Sequence, residues 1–261
     1  MSIPMPAVFV GHGSPMNAIE NNRYTDSWRR LGASLPRPNG ILAISAHWYT
    51  RGTAITVMDR PRTIHDFGGF PQALFDVQYP APGSPAIAKE TADILHSIHA
   101  ELDHDWGLDH GAWSVVRNMY PDADIPVLQL SIDYNKGPQY HYDLAGQLYS
   151  LRKKGILILG SGNMVHNLRM VAWNKLNEPE YGYDWAFELN DKFKSLIASG
   201  NHQDLINFSR ISPNISLAIP TAEHYLPLIY TLGLQSDKEE ISFFNDKAVG
   251  GSLTMTSVKF G

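Results

Sequence analysis

Val8-Phe9-Val10-Gly11-His12-Gly13-Ser14-Pro15 is a short apolar run that stops abruptly at a histidine held between two glycines. A β-rich apolar run of this length reads as a buried strand, and the glycines as a turn with close backbone approach. Three other stretches repeat the device. Ile41-Leu42-Ala43-Ile44-Ser45-Ala46 runs into His47-Trp48, and Gly155-Ile156-Leu157-Ile158-Leu159-Gly160-Ser161-Gly162-Asn163 runs on to His166-Asn167. Ile219-Pro220-Thr221-Ala222-Glu223 leads to His224-Tyr225. Open α/β sheets place ligands at the ends of their strands, so these four histidines are expected to share one crevice.

Working outward, helical and strand patterns alternate along the chain. Helices are expected over residues 22–34, 84–99, 110–119, 141–153 and 183–198, with another starting near 224. Strands are expected over 6–10, 41–45, 53–58, 125–131 and 156–159. Two terminal strands, 241–244 and 252–258, suit an antiparallel pairing. The alternation predicts a layered α/β/α fold with a central, mostly parallel sheet and the site at its strand ends. No repeat or linker divides the chain, so residues 1–261 are read as a single catalytic domain. Residues 59–82 form a long loop rich in Pro, Gly and aromatics, and a loop of that length in a compact domain is usually functional.

Composition narrows the function. A hydrophobic content of 43% fits a globular protein with a sizeable core. The net charge of −5, without a basic stripe, argues against nucleic acid. There are no cysteines, which excludes disulfides, thiolate zinc sites and cysteine nucleophiles, and suits a cytoplasmic location. No apolar run approaches the ~20 residues of a membrane span, and the N-terminus does not read as a signal peptide. The eleven histidines are the unusual feature.

His96, His99, His104, His141 and His202 lie in text without special flanks and are read as structural. His12, His47, His166 and His224 lie in turn-forming or polar text, which suits neutral imidazoles ligating zinc or iron. A catalytic ion needs three protein ligands and an open position, and four histidines allow three ligands plus a base. His110, after the helix cap Asp109, is a candidate hydrogen-bonding or proton-transfer partner. Serine catalysis finds no support: the Gly-x-Ser-x-Gly elbow would need glycine where Leu159 stands before Ser161, and where His12 stands before Ser14.

Taken together, Gly11-His12-Gly13-Ser14-Pro15, Ser45-Ala46-His47-Trp48, Asp109-His110-Gly111, Gly162-Asn163-Met164-Val165-His166-Asn167 and Glu223-His224-Tyr225-Leu226-Pro227 resemble the class III extradiol ring-cleavage dioxygenases, in their 4,5-DOPA extradiol branch. The likeness covers nearly the whole chain. It implies 4,5-cleavage of a catechol such as L-DOPA by O2 to a semialdehyde, in a monomer or homodimer with no nucleic-acid or membrane partner. It also implies one non-haem ion per chain, Fe2+ for turnover or Zn2+ in its place. His12, His47 and His224 match the metal ligands, with adjacent Glu223 an alternative third ligand. His166 matches the base and a fourth donor, and His110 a second catalytic histidine. In the loop Ile64-His65-Asp66-Phe67-Gly68-Gly69-Phe70-Pro71, and just before it, His65, Phe70 and Arg62 are the expected substrate contacts. A zinc-dependent hydrolase using the same histidines, or a non-enzymatic binding protein on the same fold, are the competing expectations.

Overall fold

In the computed structural model, residues 4–261 are described. Six strands form the central sheet in the order Val127–Gln129, Gly40–Ser45, Ile156–Gly162, Ala7–Gly11, Ser257–Phe260, Ile241–Phe244. The first four run parallel, and Ser257–Phe260 runs antiparallel to both of its neighbours. Side chains alternate across each strand, and both faces are covered. Phe9, Leu42, Ile44, Leu128 and Ile158 enter one core with Leu228, Tyr230 and Leu144, from the helices Leu226–Gly233 and Pro138–Gln147. Val8, Val10, Ile41, Leu157 and Leu159 enter the other with Trp28 and Trp113, from the helices Arg23–Ser34 and His110–Met119. This two-sided burial is why the strands read as continuous apolar runs.

The expected 125–131 strand shortens to Val127–Gln129, the expected 141–153 helix is split into Pro138–Gln147 and Tyr149–Lys153, and four further elements differ from their expected form. The expected 53–58 strand is Thr53–Thr56, and it leaves the main sheet to pair with Ala100–Asp103, which the sequence pattern did not reveal. The expected 84–99 helix ends at Ile94. The expected 252–258 strand is divided into Leu253–Thr254, paired with Ala248–Val249, and Ser257–Phe260 in the main sheet. Residues 219–224, expected to repeat the strand-to-histidine device, are bends and turns before the Leu226–Gly233 helix. Pro220 explains this last departure, since it donates no ladder hydrogen bond.

Arg152 ties the chain ends together. Fully buried, it pairs with Glu239 at 2.5 Å and donates to the carbonyls of Met5 and Leu234. No helix among the described residues is long and apolar enough to cross a membrane.

Candidate metal centre

The parallel strands Ala7–Gly11, Gly40–Ser45 and Ile156–Gly162 end side by side, with Gly11 opposite Gly162 and Ser45 opposite Ser161. His12 and His47 leave these ends directly. His166 follows a short turn and is fixed by its backbone N–H to the Ala218 carbonyl. His224 arrives without a strand. Its carbonyl accepts from Asn163 N–H and lies against Gly162, where a Cβ would sit 2.1 Å from it. Glycine at 162 is therefore what lets the His224 turn dock on the sheet. His110 opens the His110–Met119 helix, whose cap is Asp109: its side chain accepts from Ala112 N–H at 3.1 Å.

All five imidazoles meet. Ring centroids lie 5.1 Å apart for His12 and His47, 5.4 Å for His12 and His224, and 5.1 Å for His47 and His224. His166 stacks on His224 at 3.6 Å, with only 7° between the planes. His110 lies 3.9 Å from His47 and 5.5 Å from His12. By ligand atom, His12, His47 and His110 form the trio with nitrogens within 4.8 Å of one another, a group able to hold a metal ion.

The hydrogen bonds around the cluster show which nitrogens are available. The Ser161 hydroxyl donates to the Gly111 carbonyl at 2.5 Å, so towards His12 Nδ1, 3.0 Å away, it must accept. Asp66 Oδ2 lies 2.9 Å from His110 Nδ1 and 3.4 Å from His47 Nδ1. Glu223 Oε1 lies 3.3 Å from His224 Nδ1. Three rings thus spend Nδ1–H on acceptors around the cluster, and His47 turns its Nδ1 towards the Asp66 carboxylate, an arrangement that leaves Nε2 of these rings facing the centre. The Nε2 atoms of His12 and His47 are 3.2 Å apart. Between two lone pairs that contact is repulsive, but it is the spacing that two ligands of one ion have when each bond is about 2.0–2.1 Å. This donor set fits a metal ion, including the outer acceptors that orient metal-binding histidines.

The charges agree with that reading. Burial, and then the neighbouring imidazoles, hold His12 and His47 well below the ordinary histidine range. Burial and His224 lower His166 to about 3. Burial also lowers His224, although Glu223 opposes it. His12, His47, His166 and His224 are therefore neutral electron-pair donors at pH 7. Around it stand three carboxylates. Burial would raise Glu223, but bonds from His224 and Thr221 hold it down to about 2. Burial likewise opposes ionisation of Asp66, and the bonds from His110 outweigh it. Asp109, wholly buried and bonded to Ser45 and Gln129, is raised by burial and by Asp66.

The loop residues take different places. Arg62 is exposed and donates through Nε to the Trp106 carbonyl. His65 Nε2 pairs with the Val77 carbonyl, and its ring meets Trp113 edge-on at 5.6 Å. Phe70 meets Phe67 edge-on at 5.5 Å, and Phe67 in turn meets His110 at 5.6 Å. Sequence reasoning chose His65 and the loop aromatics and gave no role to Asp66, which with Phe67 touches the cluster. It also passed over Ser161 except as a nucleophile. A small hydroxyl at a strand end that opens on histidines was the available signal. Of the histidines read as structural, His141 pairs with the Tyr230 hydroxyl, and His202 with Tyr142 and Gln235.

Comparison with known proteins places this geometry. A family profile described as the catalytic LigB subunit of aromatic ring-opening dioxygenase matches residues 6–255. A 4,5-DOPA dioxygenase extradiol of Escherichia coli K12 is 49% identical, over 100% of this chain and 96% of that protein. One from Beta vulgaris is 35% identical, over 97% and 95%. The crystal structure of an uncharacterized Escherichia coli K12 protein superposes with a TM-score of 0.84 at 43% identity, covering 98% of this chain and 100% of the other.

Proposed function

The chain belongs to the family of LigB-type catalytic subunits of aromatic ring-opening dioxygenases, and from that premise we propose that it opens a catechol such as L-DOPA by 4,5-cleavage to a semialdehyde. The chain is an extradiol ring-opening dioxygenase; the substrate, the bond cleaved and the ion are the proposal. The observation that carries it is the convergence of five imidazoles, four of which turn Nδ1 towards an acceptor.

His12, His47 and His224 hold the ion, Fe2+ for turnover, with Zn2+ able to take the same nitrogens. Their centroids form a nearly equilateral triangle of 5.1, 5.4 and 5.1 Å. Three imidazoles around one ion have centroids about 5 Å apart when the bonds are ~2.1 Å. His110 instead lies against the His47 ring, which suits a group facing the substrate. The ion, when bound, supplies Lewis acidity to the catechol oxygens and brings O2 beside the ring.

The remaining work falls to side chains. His166, neutral at pH 7, accepts a catechol hydroxyl proton. Removing the hydroxyl proton leaves an anion beside it, which stabilises the imidazolium formed. His110 Nε2 accepts a hydrogen bond from the second hydroxyl and orients the ring. Phe67, backed by Phe70, flanks the ring, while the exposed Arg62 guanidinium, rather than the engaged His65, meets the substrate's side-chain carboxylate. We extend the proposal to one catalytic domain spanning the chain, since strands from both ends share the main sheet. A zinc hydrolase would need Glu223 as a free base, whereas its Oε1 is engaged by Thr221 and His224.

The test is an anaerobic solution of iron-reconstituted protein and L-DOPA, to which O2 is added. The proposal expects a yellow ring-opened product and one O2 consumed per catechol. Turnover without O2, or none with it, would reject it.

A further inference from the structure

Asp66 stands where the loop before the Gln72–Phe75 helix reaches the cluster, with its side chain only 17% exposed. It is held there firmly. Ile64 N–H donates to the Leu108 carbonyl and Leu108 N–H to the Arg62 carbonyl, and Trp113 Nε1–H donates to the Ile64 carbonyl. The loop opens to solvent beyond it: a Cβ at Gly68 or Gly69 would meet nothing within 4 Å.

From that anchored position one carboxylate makes three contacts. Oδ1 accepts the backbone N–H of His110 at 2.8 Å. Oδ2 accepts His110 Nδ1–H at 2.9 Å and lies 3.4 Å from His47 Nδ1. The first contact fixes the start of the His110–Met119 helix, and the other two fix the planes of adjacent rings 3.9 Å apart. Because Oδ2 can only accept, the His110 ring must carry hydrogen on Nδ1 and a lone pair on Nε2, and the same tautomer at His47 would turn its Nδ1–H towards the shared oxygen.

We propose that Asp66 is a positioning residue serving two histidines at once, holding His47 as a metal ligand and His110 as an acceptor for the substrate hydroxyl. This rests on the roles given to those histidines above. Asp66 touches neither the ion nor the substrate; it acts through the two imidazoles. Asparagine cannot replace it. If the amide oxygen faces the His110 ring, the NH2 group meets the His110 backbone N–H; if turned, it meets Nδ1–H. Either way a donor faces a donor, and His47 loses its negative partner.

The experiment combines metal titration, kinetics and histidine NMR. In metal-free wild-type protein labelled with 15N-histidine, His47 and His110 are expected as Nδ1–H tautomers. Asp66→Asn is expected to bind zinc 10- to 100-fold more weakly, the usual loss when a partner behind a metal-ligating histidine is removed. At saturating iron it is also expected to lose kcat while the KM for the catechol changes little. Asp76→Asn, an exposed carboxylate bonded to Gln72, is the control and should match wild type. Wild-type zinc affinity or wild-type kcat in Asp66→Asn overturns the dual role. If that variant does not fold, the wild-type tautomers decide, and Nε2–H on either ring overturns the proposal. A wild-type protein that opens no catechol defeats the functional reading instead, and leaves Asp66 to be judged by zinc affinity and tautomers.

Discussion

Replacing Ser161 by alanine removes one hydroxyl and strands one buried group, His12 Nδ1–H, because the Gly111 carbonyl keeps the bond of its own helix. Ser161 is fully buried; its Oγ accepts from His12 Nδ1 at 3.0 Å and donates to the Gly111 carbonyl at 2.5 Å. A buried donor or acceptor left unsatisfied costs about 1–3 kcal/mol. One such group puts the loss of stability at roughly 1–3 kcal/mol. The ligand effect is separate. Without its acceptor, His12 is no longer held with hydrogen on Nδ1 and a free Nε2, and changes of this kind lower metal affinity about 10- to 100-fold. Zinc competition titration reads the second effect and urea unfolding of metal-free protein reads the first. Ser114→Ala is the control, because the Ser114 hydroxyl is buried without a hydrogen-bond partner among the described residues. Ser161→Ala with wild-type zinc affinity would refute the argument that Ser161 sets the His12 tautomer.

Gly111→Ala should fold poorly or lose metal binding, since its Cβ would sit 2.4 Å from Ser45 Oγ and 2.9 Å from the His47 ring; zinc titration and Tm check this. Arg152→Ala should destabilise by about 3–5 kcal/mol, the cost of leaving a buried partner charge uncompensated, seen as a lower urea midpoint at pH 7. His141, fully buried, is lowered to about 4 by burial, whereas an unfolded histidine titrates near 6.5. Its folded pKa is depressed, so below pH 6.5 the unfolded chain takes up a proton that the folded one refuses, and stability falls until pH passes about 4. Between pH 7 and pH 5 this amounts to about 2 kcal/mol. His141→Gln should remove that step from urea midpoints measured across the range, and an unchanged pH dependence would contradict it.

The sheet was legible because both of its faces are buried. Val8 to Val10, Ile41 to Ile44 and Ile156 to Leu159 carry no polar residue, and each ends at glycine or serine before the site. Strand Ala100–Asp103 was not legible: its alternation lasts only four residues, only Ala100 is buried, and the strand depends on its partner Thr53–Thr56. The histidines behaved similarly. His12 and His47 follow strands that announce themselves. His224 reaches the site through a backbone contact with Gly162 that no local pattern encodes. Asp66 escaped notice because its value lies in what it touches across 44 residues of chain, at His110. His65 drew attention by type, yet it faces Val77 and Trp113.

The choice of third ligand separates this account from its nearest rival most directly. Nitrogen proximity favours the trio His12, His47 and His110, while the ring triangle favours His12, His47 and His224. A crystal structure of iron-loaded protein, with data collected across the iron absorption edge, locates the ion independently of the protein density. The account predicts one anomalous peak bonded to Nε2 of His12, His47 and His224, with His110 Nε2 unbonded. A peak bonded to His110, with His224 left out, would contradict it.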